Sequence, residues 1–213
     1  DNSGPWQVLT PWPNAWWNLN VQLSYWSVYP SNRLELGMPL VDAIGNNLDN
    51  LINNVPEPYR KDAAALPVAT DFTLTGATVN VPGTEKKAQV GNLTWICHNL
   101  WLQYRFSMDE SILRNTLYPT LRRAVNFYLP FLTEDKSGKL HLKRTYSPEY
   151  GTAEDCNYDI ALLRWGCNTL LEASRILSVD DELIPRWKQV AEYLTDYPQD
   201  ENGMMIGKDV PFS

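Results

Sequence analysis

Over most of this 213-residue chain the apolar side chains return every three or four positions, and they do so in neighbouring segments that come in pairs. The first pair runs from Asn20 to about Tyr29, with Leu23, Trp26 and then Tyr29 or Pro30, and from about Arg33 to Val55, with Leu36, Leu40, Ile44, Leu48, Leu51 and Ile52. A second pair covers about Asn92–Phe106 (Leu93, Ile96, Leu100, Trp101, Tyr104) and about Glu110–Leu132 (Ile112, Leu117, Leu121, Val125, Phe131). A third covers about Tyr158–Leu177 and Asp181–Tyr197. A helix with one apolar stripe needs a neighbour to cover it, so the pattern predicts a mostly α fold built of helical hairpins, one domain over residues 1–213.

Two connections break the rhythm, "PVATDFTLTGATVNVPGTEKKAQVG" at 67–91 and "TEDKSGKLHLKRTYSPEYGTAEDCN" at 133–157. Both far exceed the few residues that usually join packed helices. Alternation at Phe72, Leu74, Val79 and Val81, and at Leu140 and Leu142, predicts short hairpins or extended arms there. Long ordered loops on a rigid scaffold are where sites tend to be built.

Composition excludes several classes. A formal charge of −7 disfavours binding to nucleic acid, which needs clustered Lys and Arg. No apolar run is long enough to span a bilayer and no leader pattern opens the chain, so no membrane insertion is expected. Cys97, Cys156 and Cys167 match neither a disulfide framework nor a zinc motif and read as buried thiols; no metal and no cofactor are expected. The nine tryptophans are the informative feature, because Trp6, Trp12, Trp16, Trp17 and Trp26 all fall in the first 26 residues. An indole face covers the C–H face of a sugar ring and its N–H meets a hydroxyl, so a cleft of aromatics, amides and carboxylates suits carbohydrate; a Trp-rich core gives the same composition.

Two local patterns carry chemistry. In "NAWWNLNVQLSYW", Asn18 and Asn20 are two apart: on a helix they would face opposite ways, in extended chain the same way. If they act together they precede the helix, with Asn20 as its N-cap and both amides beside the Trp16–Trp17 arm; otherwise Asn20 caps and Asn18 is solvated. In "RTYSPEYG", Pro148 fixes a turn around Glu149, and Tyr146 and Tyr150 bracket the carboxyl with apolar surface that would raise its pKa, as a general acid requires; a glutamate in a polar loop can equally be solvated.

Taken together, these segments resemble glycoside hydrolase family 95, the inverting α-L-fucosidases and related α-L-galactosidases. "WWNLNVQLSYW" is similar to the family's N-x-N-x-x-x-x-Y-W segment, "GNLTWICHNLWLQYRFSMDESIL" to its helix with W-x-x-H-x-L-W, "SPEYG" to the loop of its catalytic glutamate, and "NYDIALLRWGCNTLLEASRIL" to the helix after it. The resemblance implies an (α/α)6 toroid, a ring of helical hairpins, in which Glu149 protonates the glycosidic oxygen while Asn18 and Asn20 hold the attacking water. A neutral amide cannot take that water's proton, so a carboxylate is also needed. The family supplies it from a later segment, and this chain looks like the N-terminal portion of the larger catalytic domain.

The resemblance further implies an oligosaccharide or glycan substrate, export to the periplasm or exterior, and substrate contacts at Trp16, Trp17, Trp26, His98, Tyr150 and Asp159. Three departures stand against a simple transfer. About half a ring of helices is present; the paired histidines typical of the fucosidases are missing around "LPVATDFTLTG"; and Tyr150 stands where the family has asparagine. His98, beside Trp95, Trp101 and Leu102, also reads as a core histidine, and Asp159 as a carboxylate favouring a helix N-terminus. His141, between Leu140 and Leu142, reads as surface. Uncovered apolar faces on half a ring predict self-association. A sugar-binding relative without turnover and a plain helical interaction domain remain open beside the hydrolase.

Overall fold

The computed structural model describes residues 14–212. Trp6 and Trp12 lie outside the described residues. A two-residue strand β1 (Ala15–Trp16) leads into helix α1 (Asn20–Trp26), followed by α2 (Met38–Asn46) and α3 (Leu48–Asn53). Strand β2 (Ala69–Thr70) pairs antiparallel with β1, Ala15 opposite Thr70 and Trp16 opposite Ala69. Then come α4 (Asn92–Ser107), a short α5 (Glu110–Ile112), a π turn at Leu113–Leu117 and α6 (Tyr118–Tyr128).

Two antiparallel hairpins follow, β3 (Leu132–Glu134) with β4 (Leu140–Leu142), and β5 (Thr145–Ser147) with β6 (Gly151–Ala153). The chain closes with α7 (Asn157–Leu177), α8 (Ile184–Tyr193) and a small hairpin of β7 (Gln199–Asp200) and β8 (Gly203–Met204). The protein is thus mostly helical with short antiparallel strand pairs.

The core forms where α4, α6 and α7 pack together, with α8 laid along α7. Leu93, Ile96 and Leu100 of α4, Leu121 and Val125 of α6, and Ile160, Leu163 and Leu170 of α7 are all at most 1% exposed. They repeat at helical spacing, so each helix presents one continuous apolar stripe to this centre. Two glycines let the helices approach: a Cβ on Gly166 would meet Val125 Cγ2 at 2.6 Å, and one on Gly91, just before α4, would meet Tyr158 Cε1 at 2.5 Å. Cys97, Cys156 and Cys167 are buried free thiols, as their context predicted.

The expected helices at 92–106 and 158–177 are present to within a residue or two. The single helix expected over 33–55 is instead a 3-10 turn (Leu34–Leu36), α2 and α3. Pro39 has no N–H to extend a helix through the preceding turn, and the Asn47 side chain donates to the Ala43 carbonyl at 2.8 Å, competing with the ladder and ending α2. The helix over 110–132 is interrupted by the π turn for a related reason: Pro119 cannot serve the Asn115 carbonyl, and Tyr118 N–H reaches back to Leu113.

The connection 67–91 folds into one tight antiparallel turn, with Thr70 bridged to Gly76 and Asp71 N–H donating to Thr75 O at 3.1 Å, and beyond it pairs only with β1. Leu74, at a left-handed φ of 62°, turns inward to 2% exposure while Phe72 is left 85% exposed. Buried Asn54 pins the segment, donating to Leu74 O at 2.9 Å and accepting from Gly76 N at 3.2 Å. The connection 133–157 does fold into hairpins. His141 is more held than a surface reading allows: Nδ1 lies 2.7 Å from Asp155 and Nε2 3.3 Å from Asp135.

Candidate active site

The arm before α1 and the β5–β6 hairpin lie far apart in the sequence and meet at the start of α7. Trp16 and Trp17 are neighbours on an extended segment and therefore point to opposite sides. Trp17 turns inward, 4% exposed, with its indole N–H donating to Thr70 Oγ1 at 2.8 Å. Its backbone N–H donates to Val68 O at 2.8 Å, which fixes the arm on the 67–70 segment.

Beyond Trp17 the chain does not stay extended. Residues 17–19 form a turn, Leu19 takes φ 114°, and Asn20 is the first residue of α1 rather than its cap. The reading that both asparagines lie on straight extended chain is corrected accordingly. The turn is held from beneath by Gln22, fully buried, whose Nε2 donates to Trp17 O at 2.5 Å and whose Oε1 accepts from Leu19 N at 3.2 Å. Asn99 of α4 donates to the Gln22 carbonyl at 3.0 Å. Periodicity places Gln22 on a helix but gives no sign that it braces the asparagine turn.

Glu149 occupies the tip of the second hairpin. Ser147 faces Gly151 across the ladder, Tyr150 N–H donates to Ser147 O at 3.2 Å, and Pro148 and Glu149 are the two central residues of that turn. Proline suits the first of these positions, but the second, at φ 68°, is one that glycine or asparagine normally fills. A glutamate there costs on the order of 1 kcal/mol. The side chain is exposed. The apolar cover expected from Tyr146 and Tyr150 does not form, because Tyr150 turns onto Phe212 (centroids 4.9 Å apart) and Tyr146 lies under the Lys87 ammonium at 4.7 Å.

Glu149, Asn18 and Leu19 line two adjoining cavities. One, of about 380 Å³, adds Trp16, Asn20, Val68, Lys87, Gln89 and Tyr146. The other, of about 260 Å³, adds Trp95, Ser147, Pro148, Tyr150 and Tyr158. The fold therefore brings Trp16, Asn18, Asn20, Glu149 and Tyr150 to one place. It does so although Asn20 sits on a helix and Asn18 on a turn, because the Leu19 backbone redirects the chain between them.

The other sequence candidates lie elsewhere. Trp17 lines a larger cavity of about 610 Å³ with Tyr25, Leu40 and Phe72, and does not line either cavity at Glu149. Trp26 is 42% exposed on α1 and lines neither. His98 lies edge-on to Trp165 at 5.2 Å, half-buried, and burial lowers its pKa. Asp159 is fully buried and lines neither cavity, accepting from Tyr128 Oη at 2.8 Å. Burial pushes its pKa up to about 7 against the opposing pull of the Thr145 and Tyr128 hydroxyls. Trp95 and Tyr158, which sequence reasoning did not single out as contacts, line the smaller cavity; the W-x-x-H spacing was the available signal for Trp95.

A carboxyl group and amides facing an aromatic-walled cleft can donate a proton to an oxygen and orient a water beside it. No helix among the described residues is long and apolar enough to cross a membrane. Residues 3–206 match the family model described as "Glycosyl hydrolase family 95 catalytic domain". Among curated proteins, the chain is 26% identical over 189 residues to "Alpha-L-fucosidase 2" of Arabidopsis thaliana, an alignment covering 83% of this chain and 22% of that protein. It is 25% identical over 137 residues to "Probable alpha-fucosidase A" of Aspergillus niger, covering 63% and 17% respectively. The chain spans about a fifth of the length of these relatives.

Proposed function

The chain belongs to glycosyl hydrolase family 95, and on that premise we propose that it forms part of a catalytic domain that hydrolyses a terminal α-linked sugar of the L-fucose or L-galactose type with inversion, Glu149 acting as general acid. The observation that carries this reading is the convergence of Asn18, Asn20 and Glu149 on one cavity with Trp16 on its wall. The α-fucosidase names of the two relatives favour a fucose-type sugar.

In this mechanism Glu149 gives its proton to the glycosidic oxygen as the bond to the anomeric carbon breaks. Asn18 and Asn20 orient the water whose oxygen forms the new bond on the opposite face. The water's proton passes to a second carboxylate roughly 6.5–9.5 Å from the first, the separation that leaves room for a water. The amides cannot fill that role, and we assign it, from the resemblance, to a segment outside this chain. The strain at Glu149 supports the assignment, since a sparsely populated backbone conformation is retained where it presents a side chain for use. We also read the helical hairpins as an arc of an (α/α)6 toroid, a reading supported by the packing of α4 on α6 and of α7 on α8.

The test is release of free monosaccharide from α-L-fucosylated and α-L- and α-D-galactosylated substrates by this chain, by the full-length polypeptide that carries it, and by that polypeptide with Glu149→Gln. Release by the full-length protein, lost in the variant, is the expected result. Unchanged release by Glu149→Gln would remove Glu149 from the chemistry, and sugar binding without release would support a non-hydrolytic relative.

A further inference from the structure

The two cavities at Glu149 differ in chemistry, and only Asn18, Leu19 and Glu149 belong to both. We infer that they divide the substrate: the amide-lined cavity holds the sugar ring that is released, and the cavity walled by Trp95 and Tyr158 holds the leaving group, gripped by its apolar face rather than read through its hydroxyls. This inference rests on the reading of Glu149 as the acid. An acid that protonates a bridging oxygen must stand between the two halves that the oxygen joins, and Glu149 does stand at the junction.

The assignment of each half follows from the side chains. Asn20 and Gln89 line only the larger cavity, where amides can meet ring hydroxyls one by one and, with Asn18, hold a water. Across the junction the smaller cavity has, of its own, Ser147, Pro148 and the rings of Trp95, Tyr150 and Tyr158, against Trp16 and Tyr146 among the amides of the larger. Its back wall is preformed. Trp95 and Tyr158 meet edge to face at 5.7 Å and 73°, and Tyr158 Oη donates to Asn92 Oδ1 at 3.3 Å. Asn92 is itself fully buried and tied to Leu66 O at 3.3 Å, and Gly91 lets the Tyr158 ring pack closely against the start of α4.

Because the Tyr158 hydroxyl is engaged with Asn92, this wall presents ring surface toward the cavity. Such a wall accepts the C–H face of a pyranose or an aryl group alike. Leaving groups that differ in hydroxyl pattern but keep an apolar face should therefore be used with similar efficiency, and Trp95 is the residue that sets this preference.

Three substrates with one glycone separate the halves: an α-L-fucosyl disaccharide, an aryl α-L-fucoside and α-L-fucosyl fluoride. Fluoride is too small to reach the aromatic wall and departs without a proton from the acid. In the full-length polypeptide, Trp95→Ala is expected to lower the ratio of kcat/KM for the disaccharide, and for the aryl fucoside, over that for the fluoride by at least about tenfold, the worth of about 1.4 kcal/mol of lost contact. A ratio that does not move overturns the inference, and turnover of the fluoride reports that the variant is folded.

Trp95→Phe, which keeps a ring, should restore most of the ratio; failure to do so also counts against the wall. Glu149→Gln tests the premise separately, since it should lose the two glycosides while keeping fluoride hydrolysis. If Glu149→Gln keeps glycoside turnover, the acid assignment falls whatever Trp95 does. Absence of turnover of all three substrates by the unaltered protein overturns both.

Discussion

The turn between β5 and β6 and the first turn of α7 each carry a carboxyl group, and the fold treats the two in opposite ways. Glu149 is exposed, on a backbone conformation that disfavours it, at the junction of two cavities. Asp159 is fully buried, in the first turn of α7, bonded to Tyr128 and with its pKa pushed up to about 7 by desolvation. One carboxyl is presented to solvent at some cost in stability; the other is withdrawn into the core, where burial favours its neutral, hydrogen-bonding form. Their nearness in sequence shows that residue type and local spacing do not distinguish a reactive acid from a structural one.

If the comparison holds, its largest expression is in activity. Glu149→Gln in the full-length polypeptide should lower glycoside hydrolysis by about 10²–10⁴-fold, the range for a lost general acid, while the melting temperature stays where it was. Measured rates and calorimetry on the same sample check both halves of the statement. A fall in both would make Glu149 a structural residue and erase the contrast.

Asp159 should show the reverse. Asp159→Ala leaves the buried Tyr128 Oη without its acceptor, and should cost about 1–3 kcal/mol of stability by denaturant titration. Asp159→Asn keeps a neutral acceptor and should cost less. The pH dependence has a definite sign. With a folded pKa of about 7 against an ordinary 3.8, the folded protein binds a proton between those values that the unfolded chain has released.

Stability from this group is therefore highest below about pH 4 and falls as pH rises to 7, by on the order of 4 kcal/mol in total. Asp159→Asn should flatten that slope; an unchanged slope would show that Asp159 is not its source. His141 adds a smaller dependence in the same direction. Burial pulls its pKa down, but its bonds and charges with Asp155 and Asp135 outweigh this and raise it. Its stabilisation is complete below its unfolded pKa and lost as pH climbs through the raised folded value, so His141→Gln should remove a separate, weaker step near neutrality.

Much of this contrast was hidden in the sequence for identifiable reasons. Helical periodicity located α4 and α7 well, because their stripes of Leu, Ile and Cys are long and uninterrupted. It failed over 33–55, where Pro39 and the Asn47 side chain outcompete the ladder, an effect of two residues inside an otherwise regular pattern. The meeting of Asn18, Asn20 and Glu149 had a partial signal in the N-x-N and S-P-E patterns. The device that brings the two amides together did not: it is the positive φ of a leucine, braced by a glutamine that reads as an ordinary helix residue. Burial of Asp159 was equally unreadable, since it depends on Tyr128 arriving from another helix. Trp17 and Trp26 illustrate the limit of composition, as one is core and the other surface although both sit in the same aromatic cluster.

The smallest expected effect bears directly on why Glu149 is where it is. In a two-residue turn with φ 68° at its second position, glycine has no Cβ to clash with the neighbouring carbonyl, whereas glutamate must bear that contact. Glu149→Gly should then raise stability by up to about 1 kcal/mol, less whatever the freer unfolded chain gives back, while abolishing hydrolysis as thoroughly as Glu149→Gln. Glu149→Ala keeps the Cβ and should gain no stability, so the pair isolates the backbone from the side chain. Gly and Ala variants of equal stability would mean that the turn relaxes around any residue, and the strain would then carry no argument for function. A stabilised Gly variant that hydrolyses nothing would show that the hairpin gives up stability in order to hold a carboxyl group at the junction of the two cavities.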